Sequence, residues 1–270
     1  MTAVAASAVA GSAVSGRARD AFAYWLLRYR RIWRGTIVIS VANPALFLIA
    51  MGAGLGKLVD HHDSSYLHGH SYLAFLAPGL LAAAVMQTAY LESAGPVHTS
   101  ARRHGNYRAA LATPLAPTDL LLGHLAFIAF RIATSALAFV VVAGALRAVP
   151  PSRLPEVWAS AVLTGLAFAA PVAAWAVGVE RPAVLTAGFR FVIMPMYMFA
   201  GTFFSAEQLP NWLHAVVVCT PLYQGVELCR TFGLGTATAI GTLGHVAYLV
   251  ALATAGVVAG RRRYTAELTG

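Results

Sequence analysis

The chain has 270 residues, of which 59% are hydrophobic and only 11% charged, and its formal net charge is +9. Soluble domains hold nearer ~50% apolar and ~25% charged residues, so a soluble enzyme or a soluble nucleic-acid-binding domain is excluded. The basic excess is read instead as a marker of topology, because Lys and Arg near span ends favour the cytoplasmic side.

Residues 1–16, MTAVAASAVAGSAVSG, carry no basic n-region of a signal peptide and read as a flexible cytoplasmic tail. Residues 17–35 are predicted to form a helix lying in the membrane surface. Phe22, Trp25, Leu26, Tyr29 and Trp33 share one face, and Arg28, Arg31 and Arg34 share the other. Such a helix buries its aromatic face at the headgroup boundary and leaves its Arg side chains to phosphate and water. The alternative is a plain cytoplasmic extension of the first span.

A spanning helix needs roughly 20 mainly apolar residues, and six stretches qualify, at about 36–56, 72–94, 121–146, 157–178, 187–204 and 239–260. A seventh region, 205–235, is apolar but interrupted by Pro, Asn and Glu, and is predicted to dip into the membrane without crossing. With six spans, fourteen Arg residues fall on one side: 17, 19, 28, 30, 31, 34, 102, 103, 108, 181, 190, 261, 262 and 263. Lys57, Arg147, Arg153 and Arg230 fall on the other, and Arg131 alone lies inside a span. Both termini are therefore expected in the cytoplasm, with the positive face drawn to anionic membrane lipid. Pro44, Pro78, Pro171 and Pro195 are expected to kink their spans. Gly52/Gly56 and Gly256/Gly260 have the spacing that lets helices approach closely.

Three features that suggest chemistry are weak. The segment GAGLGKL, 52–58, has Met51 and Leu58 where a phosphate-binding loop needs Gly and a hydroxyl. It gives this chain no ATP site. The loop 60–70, with Asp60, His61, His62, Asp63, His68 and His70, has metal-ligand residue types but no support to converge them. Cys219 and Cys229 are either a disulfide pair or two buried thiols. Stronger are Glu92 and Arg131, charges inside predicted spans that need partners facing the bundle interior. An ion pair between them is expected, joined by His124 two turns below Arg131 on the same face. No nucleophile elbow, H-E-x-x-H or paired-carboxylate arrangement appears.

Two segments carry a family pattern. RRHGNYRAALATPLAPTDLLLGHL, 102–125, resembles the cytoplasmic loop of type-2 ABC export permeases, with Leu111 to Leu115 as its Leu-x-x-Pro-Leu turn. FFSAEQLPNWLHAVVVCTPLYQGVELCR, 203–230, is similar to the family's external segment through Leu209-Pro210, Pro221-Leu222 and Arg230. Within the family the chain looks most like the nodulation-factor (NodJ-like) and daunorubicin-resistance export permeases. Glu92 and Arg131 match polar positions of that group, and the likeness covers about 20–263.

The resemblance implies an all-α polytopic protein whose type-2 ABC transmembrane domain spans 36–263, followed by a cytoplasmic tail, 264–270. It implies a permease subunit in a bacterial plasma membrane that works with a second permease copy, identical or a sister. A separate ABC ATPase would carry the ATP and Mg, with no cofactor on this chain. The helix at 98–111 becomes the coupling helix on that ATPase, with Arg102, Arg103, Asn106, Tyr107, Arg108 and Leu111 as contacts and Tyr107 as aromatic anchor. The external re-entrant hairpin would contain Phe204, Leu209, Pro210, Trp212, Pro221, Leu222, Glu227 and Arg230. Two other readings stand beside it: a membrane acyl or glycosyl transferase using the His-rich loop, and an ATPase-independent channel.

Overall fold

The computed structural model describes residues 2–30, 46–51, 54, 70–103 and 105–269, the side chains of 2–15 and of Arg103 excepted. Most of the first predicted span, Trp33, Pro44, Lys57 and the His-rich loop up to residue 69 lie outside the described residues. Among the described residues every regular element is helical. Five helices are long and apolar enough to cross a membrane: Tyr72–Arg102, Pro117–Ala145, Pro151–Ala176, Pro182–Phe199 and Ala239–Thr269. They match the second to sixth predicted spans in order.

Local chemistry explains where the helices begin. Helix α1, Thr2–Tyr29, is Ala-rich at its start, and Ala has the best intrinsic helix propensity. The expected flexible tail is therefore helical from Thr2. Helix α2, Tyr72–His98, starts at Ser71, whose hydroxyl accepts the Ala74 amide at 3.3 Å. After Pro96 its hydrogen-bond ladder widens into a π-helical turn, Thr99–Arg103. Gly105, with φ +63, then caps the short helix α3, Asn106–Leu111. Helix α4, Pro117–Ala145, opens on a proline, and the Asp119 carboxylate accepts the Ala116 amide at 3.0 Å.

Helix α5, Leu154–Ala176, packs against α2, α4 and the last helix. The fifth predicted span is one run built from α6, Pro182–Gly188, a π-turn, Phe189–Ile193, and α7, Met194–Phe199. Pro195 again sits next to the widened turn, whereas Pro78 and Pro171 lie inside unbroken helices. The interrupted region forms α8, Asn211–Val218, and α9, Pro221–Leu234. The Thr220 hydroxyl accepts the Tyr223 amide, which starts α9 immediately after the bend. Gly225 of α9 sits on Thr164, near the middle of α5, whereas Gly235 sits beside Arg153 at its start. Helix α9 thus runs alongside α5, from its middle toward its first turn.

Helix α10, Ala239–Thr269, is a single helix, so residues 264–269 are not a free tail. Gly256 rests on the Pro171 backbone and Gly260 on the Leu121 side chain, positions where a Cβ would collide. The spacing that favoured close helix approach is used here against α5 and α4.

Candidate functional site

At the basic end of the bundle, four elements meet around one polar and aromatic cluster: α1, the loop helix α3, α4 and the end of α10. The cluster begins with a glycine. Gly123 of α4 has no room for a Cβ because Ala21 of α1 occupies that space, so the two helices approach closely. That lets Trp25, 4% exposed, stack on His124 with centroids 4.0 Å apart and planes 9° apart. Phe22 and Tyr29 meet Phe127 and Phe130 edge-on along the same seam, and Leu26 is half-buried. The aromatic face expected at the headgroup boundary is therefore turned onto α4, while Arg28 stays exposed over the Trp25 ring. Sequence periodicity finds such a face but does not say what covers it.

One turn deeper, Arg131 Nε lies 3.0 Å from Glu92 Oε1, and Arg131 Nη1 donates to the Tyr29 hydroxyl at 2.8 Å. The Arg131 guanidinium also lies 4.5 Å above the Tyr29 ring. Its side chain is only 5% exposed, so this is an ion pair largely removed from solvent. Tyr29 is the third member, a role the sequence reading gave to His124. His124 bonds elsewhere: Nδ1 and the Tyr107 hydroxyl are 3.0 Å apart.

That bond changes the reading of the loop helix. Tyr107, expected as an outward anchor, is 3% exposed and packs at 5.8 Å from the Tyr264 ring of α10. Burial, reinforced by the neighbouring Tyr264 and Tyr24, pushes its hydroxyl well above the usual phenol range, so it stays a neutral hydrogen-bonding group. A hydroxyl beside an apolar-bounded His is satisfied inward, and an outward-facing one would leave His124 Nδ1 bare. Asn106 donates to the Tyr24 hydroxyl at 3.1 Å, and Arg102 pairs with Glu267 at 2.6 Å. Leu111 is half-buried; Arg108, Ala109 and residues 112–114 are exposed. Between α1 and α3 lies a cavity of about 360 Å³ with Ala21, Trp25, Tyr107 and Leu120 in its wall and Asp20 and Asn106 at its rim.

The opposite end has its own lock. Arg230 of α9 is 7% exposed in its side chain and holds three elements together. It donates to Glu227 Oε1 at 2.7 Å and to the Gly201 carbonyl at 2.6 Å, and its guanidinium lies 3.9 Å over the Phe75 ring. Leu222 is fully buried, Phe204, Leu209 and Pro221 are half-buried, and Pro210 and Trp212 are exposed. Cys219 and Cys229 are both free thiols, the first exposed and the second buried. Tyr24, Tyr264 and Glu267 were missed from sequence; only the helical spacing of Tyr264 and Glu267 after the Arg triplet hinted at a face.

Helices that each bury one face on the others, two enclosed Arg pairs, and a structured loop at the basic end make a polytopic helical bundle. The family model described as "ABC-2 type transporter" matches residues 22–232, and the chain belongs to that family. Nodulation protein J of Rhizobium meliloti (strain 1021) is 30% identical over 212 residues, covering 78% of each chain. Nodulation protein J of Neorhizobium galegae is 28% identical over 209 residues, 77% of this chain and 78% of that protein. The inner membrane transport permease YadH of Escherichia coli (strain K12) is 30% identical over 95 residues, 35% of this chain and 34% of that protein.

Proposed function

We propose that the chain is the permease subunit of an ATP-driven exporter in a bacterial plasma membrane, with both termini cytoplasmic. A separate ABC ATPase binds at α3 and supplies the ATP and Mg chemistry, and a second permease copy completes the path. One observation carries the reading. The loop is fastened from behind, α3 by Tyr107 and Asn106 and the π-turn before it by the Arg102–Glu267 pair, while Arg108, Ala109 and the 112–114 turn are offered outward. A loop with no partner has no need of so many attachments.

ATP binding would draw two ATPase subunits together, and their greater affinity for one packing of the permease pair would shift the population toward it. The cargo is an amphipathic or hydrophobic molecule such as a lipid, lipo-oligosaccharide or drug. Glu92 and Arg131 spend their charges on each other, which leaves the described spans with little to offer a small ion.

The test is co-purification of the permease with its ABC ATPase. Arg108→Glu combined with Ala109→Glu changes only exposed positions, so the bundle stays folded, and like-charge contact is expected to cut ATPase recovery roughly tenfold or more. Undiminished recovery would take α3 out of the interface. Deleting the loop is a poorer experiment, because it would also remove the buried Tyr107.

A further inference from the structure

The buried residues of α10 are Leu249, Gly256, Gly260 and Tyr264, one stripe at helical spacing. The stripe does not stop where the Arg triplet, 261–263, marks the membrane boundary. Tyr264 beyond it is 0% exposed, and Glu267, three residues on, lies on the same side. Both reach the loop: the Tyr264 ring contacts Tyr107 of α3, and the Glu267 carboxylate contacts Arg102 in the π-turn. Glu267 also closes on the 177–181 segment, since its Oε1 stands 2.9 Å from where a Cβ of Gly178 would lie. Below the boundary, Gly256 and Gly260 seat α10 directly on α5 and α4.

We propose that the last two turns of α10 are a strut that sets the position of the loop helix, with Tyr264 and Glu267 as its positioning residues. Helix α3 then cannot shift without α10, and through the Gly256 and Gly260 seats a displacement of α3 reaches α5 and α4. The use of such a strut in transport rests on the ATPase reading above; its existence does not. The two attachments are unequal. The Arg102–Glu267 pair is about one-third exposed on each side, 33% and 36%, so it is screened and weak. The buried Tyr264 ring is the main support.

Hydrogen exchange on the purified permease in lipid nanodiscs tests this directly. Tyr264→Ala is expected to speed exchange of the 105–113 amides roughly tenfold through local opening, while Tyr264→Phe keeps the ring and the wild-type rate. Glu267→Arg is expected to give a smaller rise, roughly two- to fivefold, reversed by adding Arg102→Glu. Should Tyr264→Ala fail to fold, the charge-swap pair decides alone. Unchanged exchange of the 105–113 amides in a folded Tyr264→Ala, or a Glu267→Arg rise that Arg102→Glu does not reverse, overturns the strut. ATPase recovery measured on the same variants separates the two ideas: faster exchange with undiminished recovery keeps the strut and removes the ATPase from the loop.

Discussion

Arg131→Ala is expected to destabilise the protein by about 3–5 kcal/mol, because it leaves the Glu92 carboxylate in a poorly solvated interior without its partner. The Tyr29 hydroxyl loses its donor in the same step, so α1 loosens from α4 as well. Glu92→Ala is expected to cost a similar amount: the abandoned guanidinium is the more deeply buried of the two, 5% against 26% exposed, but it keeps the Tyr29 hydroxyl and ring. Replacing both, as Glu92→Gln with Arg131→Met, removes the charges together and is expected to recover most of the loss. Thermal unfolding of the four proteins in one detergent measures this. Losses that simply add would mean that the two side chains do not act as a pair.

The second large effect is expected at the opposite end. Arg230→Ala strips the partner from Glu227 and from the Gly201 carbonyl and uncovers the Phe75 ring, again at about 3–5 kcal/mol. Lys is a poor substitute, because one ammonium cannot form the planar fork that reaches two acceptors while lying flat on a ring. The neighbouring Cys229, fully buried at 0% exposure, provides the readout. In the native protein it should resist alkylation while Cys219 reacts; in Arg230→Ala it should react at a rate approaching that of Cys219. A Cys229 that stays protected would show that α9 keeps its seat without the arginine.

Much of the bundle was legible because lipid imposes one rule on every span. A run of about 20 apolar residues must become a helix that satisfies its own backbone, and hydropathy alone therefore located the second to sixth spans. Glu92 and Arg131 were legible for a related reason, since a charge in a span demands a partner. What escaped were contacts between elements distant in sequence. The amphipathic pattern of 17–35 is the same whether lipid or α4 covers it, and only Gly123 admitting Ala21 decides for α4. Tyr107 in a basic loop looks like an anchor for a partner until His124, 17 residues on, claims its hydroxyl. Residues 264–269 look like a tail because nothing local shows that Tyr264 has a pocket. The glycines of α10 were visible as a spacing, but the proline and leucine they rest on were not.

The most direct test of an ATPase-driven permease is the side and shielding of α3. Ala109→Cys places a thiol on the exposed face of α3, and Gln208→Cys places one in the exposed turn before α8 at the opposite end. A membrane-impermeant maleimide should label the Gln208→Cys thiol only from outside intact cells and the Ala109→Cys thiol only in inverted vesicles. Adding the ABC ATPase to those vesicles should then shield position 109. Labelling of position 109 from outside the cell, or full labelling with the ATPase bound, would contradict the account.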